Sequence, residues 1–335
     1  MKIFKTLILI FLFFSKTQCN YEVRSTFRVR DYVNAIDISP TNNLVAIGFH
    51  SGTIELCEIS SGRRVGIFSG HSDCVRAVKF SNDERFIASG GDDRRLIVWD
   101  LNGNQIIKFK CEDGRINSLC FSPCDKFLAF NCEFACLGCF DLGQECVVWF
   151  SSQPVFPDPF INCSQVLFSP SGRRVASICR PSLQVCDSAA GNLKDHKMHD
   201  YGEYFSLSCS SRNEFYVANV EIFPRSVCKE IINVLNVLKN TVIRRFEPKG
   251  TIYFVELSPD SRYLASLSLF KNESCIYVWD LNSDSNEPIF SAKYTVEVEP
   301  GEIYPMSLKF SRDDRYLVVV FPNGEVRVLE RCGEG

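Results

Sequence analysis

Short runs in which apolar and polar residues alternate recur along the whole chain, and each is followed by a turn and a second apolar run. The alternation predicts a strand with one buried face. The turn sequences are of the Ser-Pro-Asp-Ser type, in which Pro presets φ and Asp or Ser bonds to its own backbone. Seven copies of this unit start 41 to 53 residues apart, at 35–47, 77–89, 118–130, 165–177, 206–218, 254–266 and 307–319.

Each copy continues into a third strand and then into an outer fourth strand, as in LIVWDL at 96–101 and QIIKF at 105–109. No segment has a sustained helical period. Four antiparallel strands about every 45 residues are typical of one blade of a β-propeller. The sequence therefore predicts an all-β protein, a seven-bladed β-propeller of four-stranded antiparallel blades, in which residues 20–335 form a single domain.

The seventh copy lacks a sequence for its outer strand, since its third strand ends near Glu330 and only five residues follow. The segment STFRVRD at 25–31 precedes the first copy and has the pattern of the outer strands. We predict that this segment completes blade 7, so that the N-terminal strand closes the ring.

Residues 70–101 carry a resemblance that identifies the type of propeller. Gly70-His71 and Trp99-Asp100 stand at the two signature positions of the WD repeat, and the segment is similar to that family over its whole length. A buried indole N–H needs an acceptor, and a buried imidazole is oriented by a carboxylate. The resemblance implies a structural hydrogen-bonded tetrad inside this blade, formed by His71, Ser89, Asp93 and Trp99.

The other blades follow this pattern less closely. Trp279-Asp280 repeats the second signature in blade 6 without a Gly-His, and the copy in blade 5 is the most degraded. In the remaining blades the Trp position holds other apolar residues, namely Cys57, Phe140, Cys186, Leu235 and Leu329. Because blade 2 alone has the full signature, we expect apolar packing between strands to stabilise most of the ring.

The N-terminal residues do not fit the repeat. Lys2 and Lys5 precede the apolar run TLILIFLFF at 6–14, and polar residues follow at 15–19. This order is typical of a secretory signal peptide, and the run is shorter than the ~20 residues that span a bilayer. Residues 1–19 are therefore predicted to be a signal peptide or a disordered extension; a buried first strand and a start codon placed too far upstream are the alternatives. The protein enters the secretory pathway in the first case and is otherwise cytoplasmic, like most WD-repeat proteins.

The chain has 17 cysteines, seven of them in blade 3. Three interpretations stay open: small buried core residues, disulfides, or metal ligands. Cys136 and Cys139 form a C-x-x-C, but alignment with blade 2 places this segment along a strand, whereas a zinc knuckle needs a tight turn. The sequons at Asn162 and Asn272 would be used only in the secretory route. Core packing is the favoured interpretation, and we expect no metal and no cofactor.

Charge and motifs narrow the classes of function. The net charge is −3, which gives no electrostatic case for binding nucleic acid. The four histidines include an H-x-x-H at 196–199, which has no obvious third ligand, and no nucleophile, phosphate-loop or metalloprotease motif is present. We therefore expect no enzymatic activity, no stable membrane span and a monomeric propeller that takes part in a multiprotein complex.

WD-repeat propellers bind partners on the face formed by the loops between blades and by the hairpins between the second and third strands. Alignment with blade 2 assigns eight residues to that face: Asp31, Tyr32, His50, Asp73, Arg76, Asp92, Glu133 and Arg180. Their mixture of aromatic, acidic and basic types is typical of an interface. The sequence thus favours a non-enzymatic scaffold that binds a protein or peptide there.

Two other functions are alternatives to this one. The first is a secreted or luminal propeller that is braced by disulfides and binds an extracellular ligand. The second, more remote, is a phosphoinositide-binding propeller, because Arg244-Arg245 lies in the outer strand of blade 5, where such propellers carry Arg-Arg-Gly; here the third residue is Phe246.

Overall fold

The computed structural model describes residues 21–112, 114–133, 137–151, 163–179, 182–197, 203–209, 215–222, 230–237, 239, 241–271, 273–295, 307–321 and 323–332. These residues form 28 strands and no helix, in agreement with the predicted all-β class. In this described part of the chain, no helix is long and apolar enough to cross a membrane. The predicted signal peptide at 1–19 lies outside the described residues.

Twenty-eight strands make seven four-stranded sheets, which are the blades of the propeller. The strands of blades 1 to 4, in chain order, are β2 (Val33–Ile38), β3 (Leu44–Phe49), β4 (Thr53–Glu58), β5 (Arg64–Ser69), β6 (Val75–Phe80), β7 (Phe86–Gly91), β8 (Arg95–Asp100), β9 (Gln105–Lys110), β10 (Ile116–Phe121), β11 (Phe127–Cys132), β12 (Leu137–Asp141), β13 (Cys146–Ser151), β14 (Cys163–Phe168), β15 (Arg174–Cys179), β16 (Ser182–Asp187) and β17 (Leu193–Lys197).

Blades 5 and 6 repeat this order, and blade 7 combines three strands from the end of the chain with one from its beginning. Blade 5, the most degraded in sequence, still has all four strands. The remaining strands are β18 (Glu203–Cys209), β19 (Phe215–Ile222), β20 (Glu230–Asn236), β21 (Thr241–Phe246), β22 (Thr251–Leu257), β23 (Tyr263–Phe270), β24 (Glu273–Asp280), β25 (Phe290–Thr295), β26 (Ser307–Phe310), β27 (Tyr316–Val320), β28 (Glu325–Arg331) and β1 (Tyr21–Arg28).

The N-terminal strand closes the ring, as predicted. Strand β1 pairs with β28 in antiparallel register, from Tyr21 opposite Arg331 to Arg28 opposite Glu325. It begins at Tyr21, earlier than the segment 25–31 that the pattern indicated, because Tyr21 is itself buried in the core between blades 6 and 7. Both ends of the described chain therefore lie in one sheet.

The core lies between neighbouring blades. The alternation of buried and exposed residues is lost in the middle strands of a blade. In β27, for example, all five residues are buried, because both faces of such a strand pack on another blade. One core cluster joins Ile54 and Phe68 of blade 1 to Phe80 and Trp99 of blade 2. The blades are thus held together by apolar packing.

The recurrent serine of the repeat has a local structural cause. In blade 2, Ser81 Oγ accepts a hydrogen bond from the backbone N–H of Phe86 (3.0 Å), the first residue of the next strand. The turn between them places Glu84 in the left-handed region (φ 59°). This side-chain bond closes the turn and sets the register of the first two strands.

The turns and loops define two faces. The bottom face carries the turns between the first and second strands and between the third and fourth strands of each blade. The top face carries the second-to-third-strand hairpins and the loops between blades. A partner can reach side chains on these two faces, and on the outer strands at the rim, without disturbing the sheets.

Candidate functional site

Residues of blades 1, 2 and 3 form the best-described part of the top face, which we call the blade 1–3 surface. It comprises Asp31, Tyr32, His50, Asp73, Arg76, Asp92, Arg115 and Glu133. Seven of these were predicted from the sequence. Arg180, the eighth predicted residue, lies outside the described residues.

Tyr32 and His50 form the aromatic part of the surface. The His50 backbone N–H donates to the Tyr32 carbonyl (2.9 Å), which ties the interblade loop to the hairpin of blade 1. The two rings meet edge to face, with centroids 6.3 Å apart and an interplanar angle of 72°. Tyr32 is 38% exposed, so it offers a partner apolar area at a low cost in side-chain entropy.

Two of the predicted acids support the loops rather than stand free. Asp31 accepts hydrogen bonds from the backbone N–H of Tyr32 (2.7 Å) and of Ser51 (3.3 Å). Asp73 accepts one from the backbone N–H of Cys74 (2.8 Å). We assign these two carboxylates a role in fixing the shape of the surface.

A row of alternating charges continues the surface across blades 2 and 3. Arg76 makes a two-pronged ion pair with Asp92, in which Nη2 lies 2.9 Å from Oδ2. Arg115 lies 3.9 Å from Asp92 and 3.7 Å from Glu133. The hydrogen bond to Asp92 raises the pKa of Arg76 against the opposing effect of burial.

Arg115 was missed by the sequence analysis. It occupies the loop position immediately before the inner strand of blade 3, which is the position of Tyr32 in blade 1. The repeat alignment that selected Tyr32 therefore contained the signal for Arg115.

The structure brings the four tetrad side chains together inside blade 2. His71 Nδ1 lies 2.9 Å from Asp93 Oδ1, and His71 Nε2 lies 2.7 Å from Ser89 Oγ. The Trp99 indole N–H donates to the same Ser89 oxygen (2.8 Å). A His71 ring with a proton on Nδ1 and a lone pair on Nε2 fits all three contacts, because Nδ1–H donates to Asp93 and Nε2 accepts from the Ser89 hydroxyl.

Burial works against ionisation of Asp93, but hydrogen bonds outweigh it. His71 and the backbone N–H groups of Ser72 and Arg95 donate to its carboxylate and hold the pKa of Asp93 below its ordinary value. The group therefore stays ionised and keeps His71 in one orientation.

The connectivity Ser89–His71–Asp93 is that of a serine nucleophile with its base and orienting acid. Ser89 is fully buried, and its oxygen already accepts from the Trp99 indole, which is 1% exposed. A substrate carbonyl has no path to that oxygen. The arrangement supports the blade and cannot act as a nucleophilic site in this geometry.

Replacing Ser89 by Ala should destabilise the protein by about 1–3 kcal/mol, because the Trp99 and His71 nitrogens lose a buried partner. Ser266 offers a matched control. It occupies the same repeat position in blade 6, is equally buried, and its Oγ has no hydrogen-bond partner among the described residues. Ser266→Ala should change the stability by less than about 0.5 kcal/mol. Urea unfolding of both variants checks this; equal losses would contradict the role given to the tetrad.

The central channel contains two ion pairs that the sequence analysis did not single out. Lys79 Nζ lies 2.9 Å from Asp37 Oδ1, across blades 2 and 1. Lys309 is paired with Glu256, across blades 7 and 6. Gln165 of blade 4 reaches Glu256 (3.4 Å) although its blade is not a neighbour, which places these side chains in the channel.

Most of the described cysteines contribute to the core. Eight of the twelve whose side chains are described are buried. Burial raises the pKa of Cys139 and of Cys186, each to about 12, so these thiols stay protonated near neutral pH. Among the described residues, no group of three or more His, Cys, Asp or Glu side chains could hold a metal ion. Cys136 and His199 lie outside the described residues.

Arg244, which suggested a phosphoinositide site, is engaged within the fold. Its guanidinium donates to the Ser285 carbonyl (2.6 Å), to the Ser283 carbonyl and to Asn286 Oδ1 (3.0 Å). These acceptors belong to the turn between the third and fourth strands of blade 6. Arg244 therefore links blades 5 and 6, and its donors are not directed at a phosphate.

Comparison with known proteins adds a family model and several relatives. The model for the WD domain, G-beta repeat, matches residues 62–100, which contain blade 2 up to its third strand. The chain is 24% identical over 251 residues to the Protein LST8 homolog of Drosophila pseudoobscura pseudoobscura, an alignment that covers 72% of this chain and 74% of that protein.

Two further relatives are matched over smaller parts of their length. The U3 small nucleolar RNA-associated protein 15 homolog of Xenopus laevis is 23% identical over 72% of this chain and 45% of its own length. Transcription initiation factor TFIID subunit 5 of Caenorhabditis elegans is 35% identical over 27% of this chain and 14% of its own length. Each of these two alignments therefore covers less than half of the relative's own length.

Proposed function

Because the chain belongs to the WD-repeat β-propellers, we propose that it is a non-enzymatic scaffold that binds a protein or peptide partner on its top face. The observation that carries the proposal is the blade 1–3 surface. It combines the edge-to-face Tyr32–His50 pair with an alternating row of charges, and the residues of that row lie in the hairpins and interblade loops of blades 2 and 3.

The chemistry of this surface suits recognition of a folded or extended protein segment. An exposed aromatic ring supplies apolar area, and arginines held in place by carboxylates can exchange those partners for acceptors on a ligand. The names of two relatives, a TFIID subunit and a U3 small nucleolar RNA-associated protein, describe proteins that work with other molecules. We extend to this chain only the role of partner binding.

Catalysis is not part of the proposal. The Ser89–His71–Asp93 arrangement, which has the connectivity of a nucleophilic site, is buried inside blade 2. Of the described thiols, Cys139 and Cys186 are held in the protonated form by burial. We propose that the protein contributes a binding surface and no chemical step.

Replacing Tyr32 by Ala together with Arg115 by Glu should abolish partner binding without unfolding the protein, because both side chains are outside the core. The measurement is quantitative mass spectrometry of proteins captured by the full chain from its native cell extract after cross-linking. Each substitution at an interface centre should lower affinity by about tenfold or more.

A matched control is Arg85→Glu. Arg85 also forms an exposed ion pair, with Asp83, but it lies on the bottom face. Partners should remain bound to this variant. The same set of partners on all three proteins, or their loss from Arg85→Glu alone, would contradict the top-face assignment.

A further inference from the structure

A pocket of about 350 Å³ opens on the bottom face between blades 2 and 3. Its wall is formed by Phe86, Val98, Ile106, Ile107 and Leu142, and Lys126 stands at its rim. The pocket is far from the blade 1–3 surface, because its residues belong to the turns and strand ends of the opposite face. We call it the blade 2–3 pocket.

At other junctions of the ring, an aromatic ring fills the corresponding place. A Cβ built on Gly62 would lie 2.5 Å from the Phe27 ring, and one on Gly103 would lie 2.9 Å from Phe68. At the junction of blades 3 and 4 the Trp149 ring covers Gly191 in the same way, and its indole N–H donates to the Ser188 carbonyl (2.8 Å). In each case the outer strand of one blade sends an aromatic side chain onto a glycine of the next blade's turn.

The junction of blades 2 and 3 departs from this arrangement. The turn of blade 3 has Glu145, not glycine, in the left-handed region (φ 53°). A Cβ on its remaining glycine, Gly143, would meet Asp141 alone among the described side chains. Phe109 of blade 2 packs instead on Phe140, with ring centroids 5.4 Å apart. The pocket is the space that an aromatic side chain occupies at the junctions of blades 7 and 1, 1 and 2, and 3 and 4.

Among the described charged residues at the rim of the pocket, Lys126 is the one whose charge is not paired with a carboxylate. Asp125 accepts from the backbone N–H groups of Asn82 (2.8 Å) and Asp83 (2.9 Å), and Asp141 likewise holds its own turn. Lys126 is exposed and pairs with no carboxylate among the described contacts. The two acids are therefore satisfied internally, whereas the ammonium group is available to a partner's carboxylate.

The strand beside the pocket has an open edge. Strand β9 is the outermost strand of its sheet, so no described strand pairs with its second edge. Ile106, in the bulge of β9, is 50% exposed at the mouth of the pocket. An extended segment can add to such an edge and place a side chain in the adjacent pocket.

We propose that the blade 2–3 pocket is a second interaction site, which takes an aromatic side chain from an extended acidic segment of a partner protein. We infer an aromatic side chain because aromatic rings fill the corresponding space at three other junctions. We infer acidic neighbours in the segment because Lys126 lies at the rim of the pocket. This site goes beyond the proposed top-face function and does not depend on it.

The test uses a phage-displayed library of random peptides selected on the full chain, followed by affinity measurement of synthetic copies of the enriched peptides. We expect peptides that combine Trp, Phe or Tyr with Asp or Glu. Ile106→Asp should weaken them by about tenfold or more, and Lys126→Glu should weaken them severalfold. Restoring binding to Lys126→Glu with peptides in which the acids are replaced by Lys would support the charge assignment.

Two control variants make the result specific. Val148→Asp changes an equally exposed aliphatic residue in the bulge of the outer strand of blade 3, away from the pocket, and should leave binding unchanged. Arg115→Glu alters the blade 1–3 surface and should also have no effect. Peptides that depend on Arg115 alone, or an enriched set that is insensitive to Ile106→Asp, would overturn the proposal while leaving the top-face function standing.

Discussion

Replacing Lys309 by Met is expected to lower the free energy of unfolding by about 3 kcal/mol, which is the lower end of the range for breaking a buried ion pair. Its partner Glu256 is 4% exposed. Once the ammonium group is gone, the donors that remain to that carboxylate among the described residues are neutral: the hydroxyl of Ser206 (3.2 Å) and the amide of Gln165 (3.4 Å). A buried charge without a counter-ion is costly in a medium of low polarity.

The electrostatics of the channel agree with this expectation. Burial lowers the pKa of Lys309, but the attraction of Glu256 and of Asp37 outweighs it, so that the pKa stands above its ordinary value. The lysine is therefore charged in the folded protein across the physiological range. Its removal takes away a full positive charge from the wall of the channel.

A double variant separates the ion pair from general packing. Lys309→Met with Glu256→Leu removes both charges and should recover most of the lost stability, because an apolar pair of similar volume replaces a buried ion pair at little or no cost. Lys79→Met should lower the free energy of unfolding by less than Lys309→Met does. The reason is that Asp37 still accepts a hydrogen bond from the backbone N–H of Phe80 (2.9 Å). Urea unfolding at neutral pH measures all three. A double variant as unstable as Lys309→Met would show that volume, not charge, decides.

The second expected result is a loss of stability as the pH rises, traced to Asp314. Burial, with the nearby and hydrogen-bonded carboxyl group of Asp260, raises the pKa of Asp314 from 3.8 to about 8. Arg331 lowers it by a smaller amount, and Asp313 adds a further repulsion. Between about pH 4 and about pH 8, therefore, Asp314 is protonated in the folded protein and ionised in the unfolded chain.

The sign of the effect follows from proton binding. A carboxyl group whose pKa is higher in the folded state contributes stability below its unfolded pKa, near 4, and loses it as the pH rises through about 8. Each pKa unit corresponds to about 1.4 kcal/mol, so the contribution should fall by on the order of 3 kcal/mol between about pH 5 and about pH 8. Asp314→Asn should flatten this part of the curve and be more stable than the wild type at about pH 8.

Asp313 provides a neighbouring control with a shift of opposite direction. Burial would raise its pKa, but hydrogen bonds from Ser311 and from the backbone of Arg315 hold it below the ordinary value. Asp313→Asn should therefore remove stability at neutral pH and leave the decline toward high pH intact. Thermal unfolding across the pH range distinguishes the variants; parallel curves for the wild type and Asp314→Asn would refute the assignment.

Asp260 and Asp314 also show why some features of this protein could not be predicted from the sequence. Both lie in the turn between the first and second strands of their blades, where Asp normally closes the turn with its own backbone. In the sequence they are ordinary turn residues, more than fifty positions apart. Only the packing of blade 7 against blade 6 brings the two carboxyl groups together, and that contact, with burial, raises the pKa of Asp314.

The same reasoning applies to the candidate binding residues. The repeat alignment placed Tyr32, His50, Asp92 and Glu133 on the top face because each occupies a fixed position in its blade. It could not indicate that Arg115 bridges Asp92 and Glu133, since a contact between adjacent blades depends on their spacing and twist. Nor could it find the blade 2–3 pocket, which lies where this junction lacks the aromatic contact that three other junctions have.

The sequence by itself determined the number of blades, the strand order within each blade and the strand that completes blade 7. These features follow from local patterns, namely alternation with a period of two and turns fixed by Ser, Pro and Asp, which act within a few residues. Only the tertiary structure decided which charges share the channel, which carboxyl groups lie close together and where the ring leaves a pocket. Those features depend on distances between blades, and the physical reason is that burial and electrostatic interaction act through space, irrespective of separation along the chain.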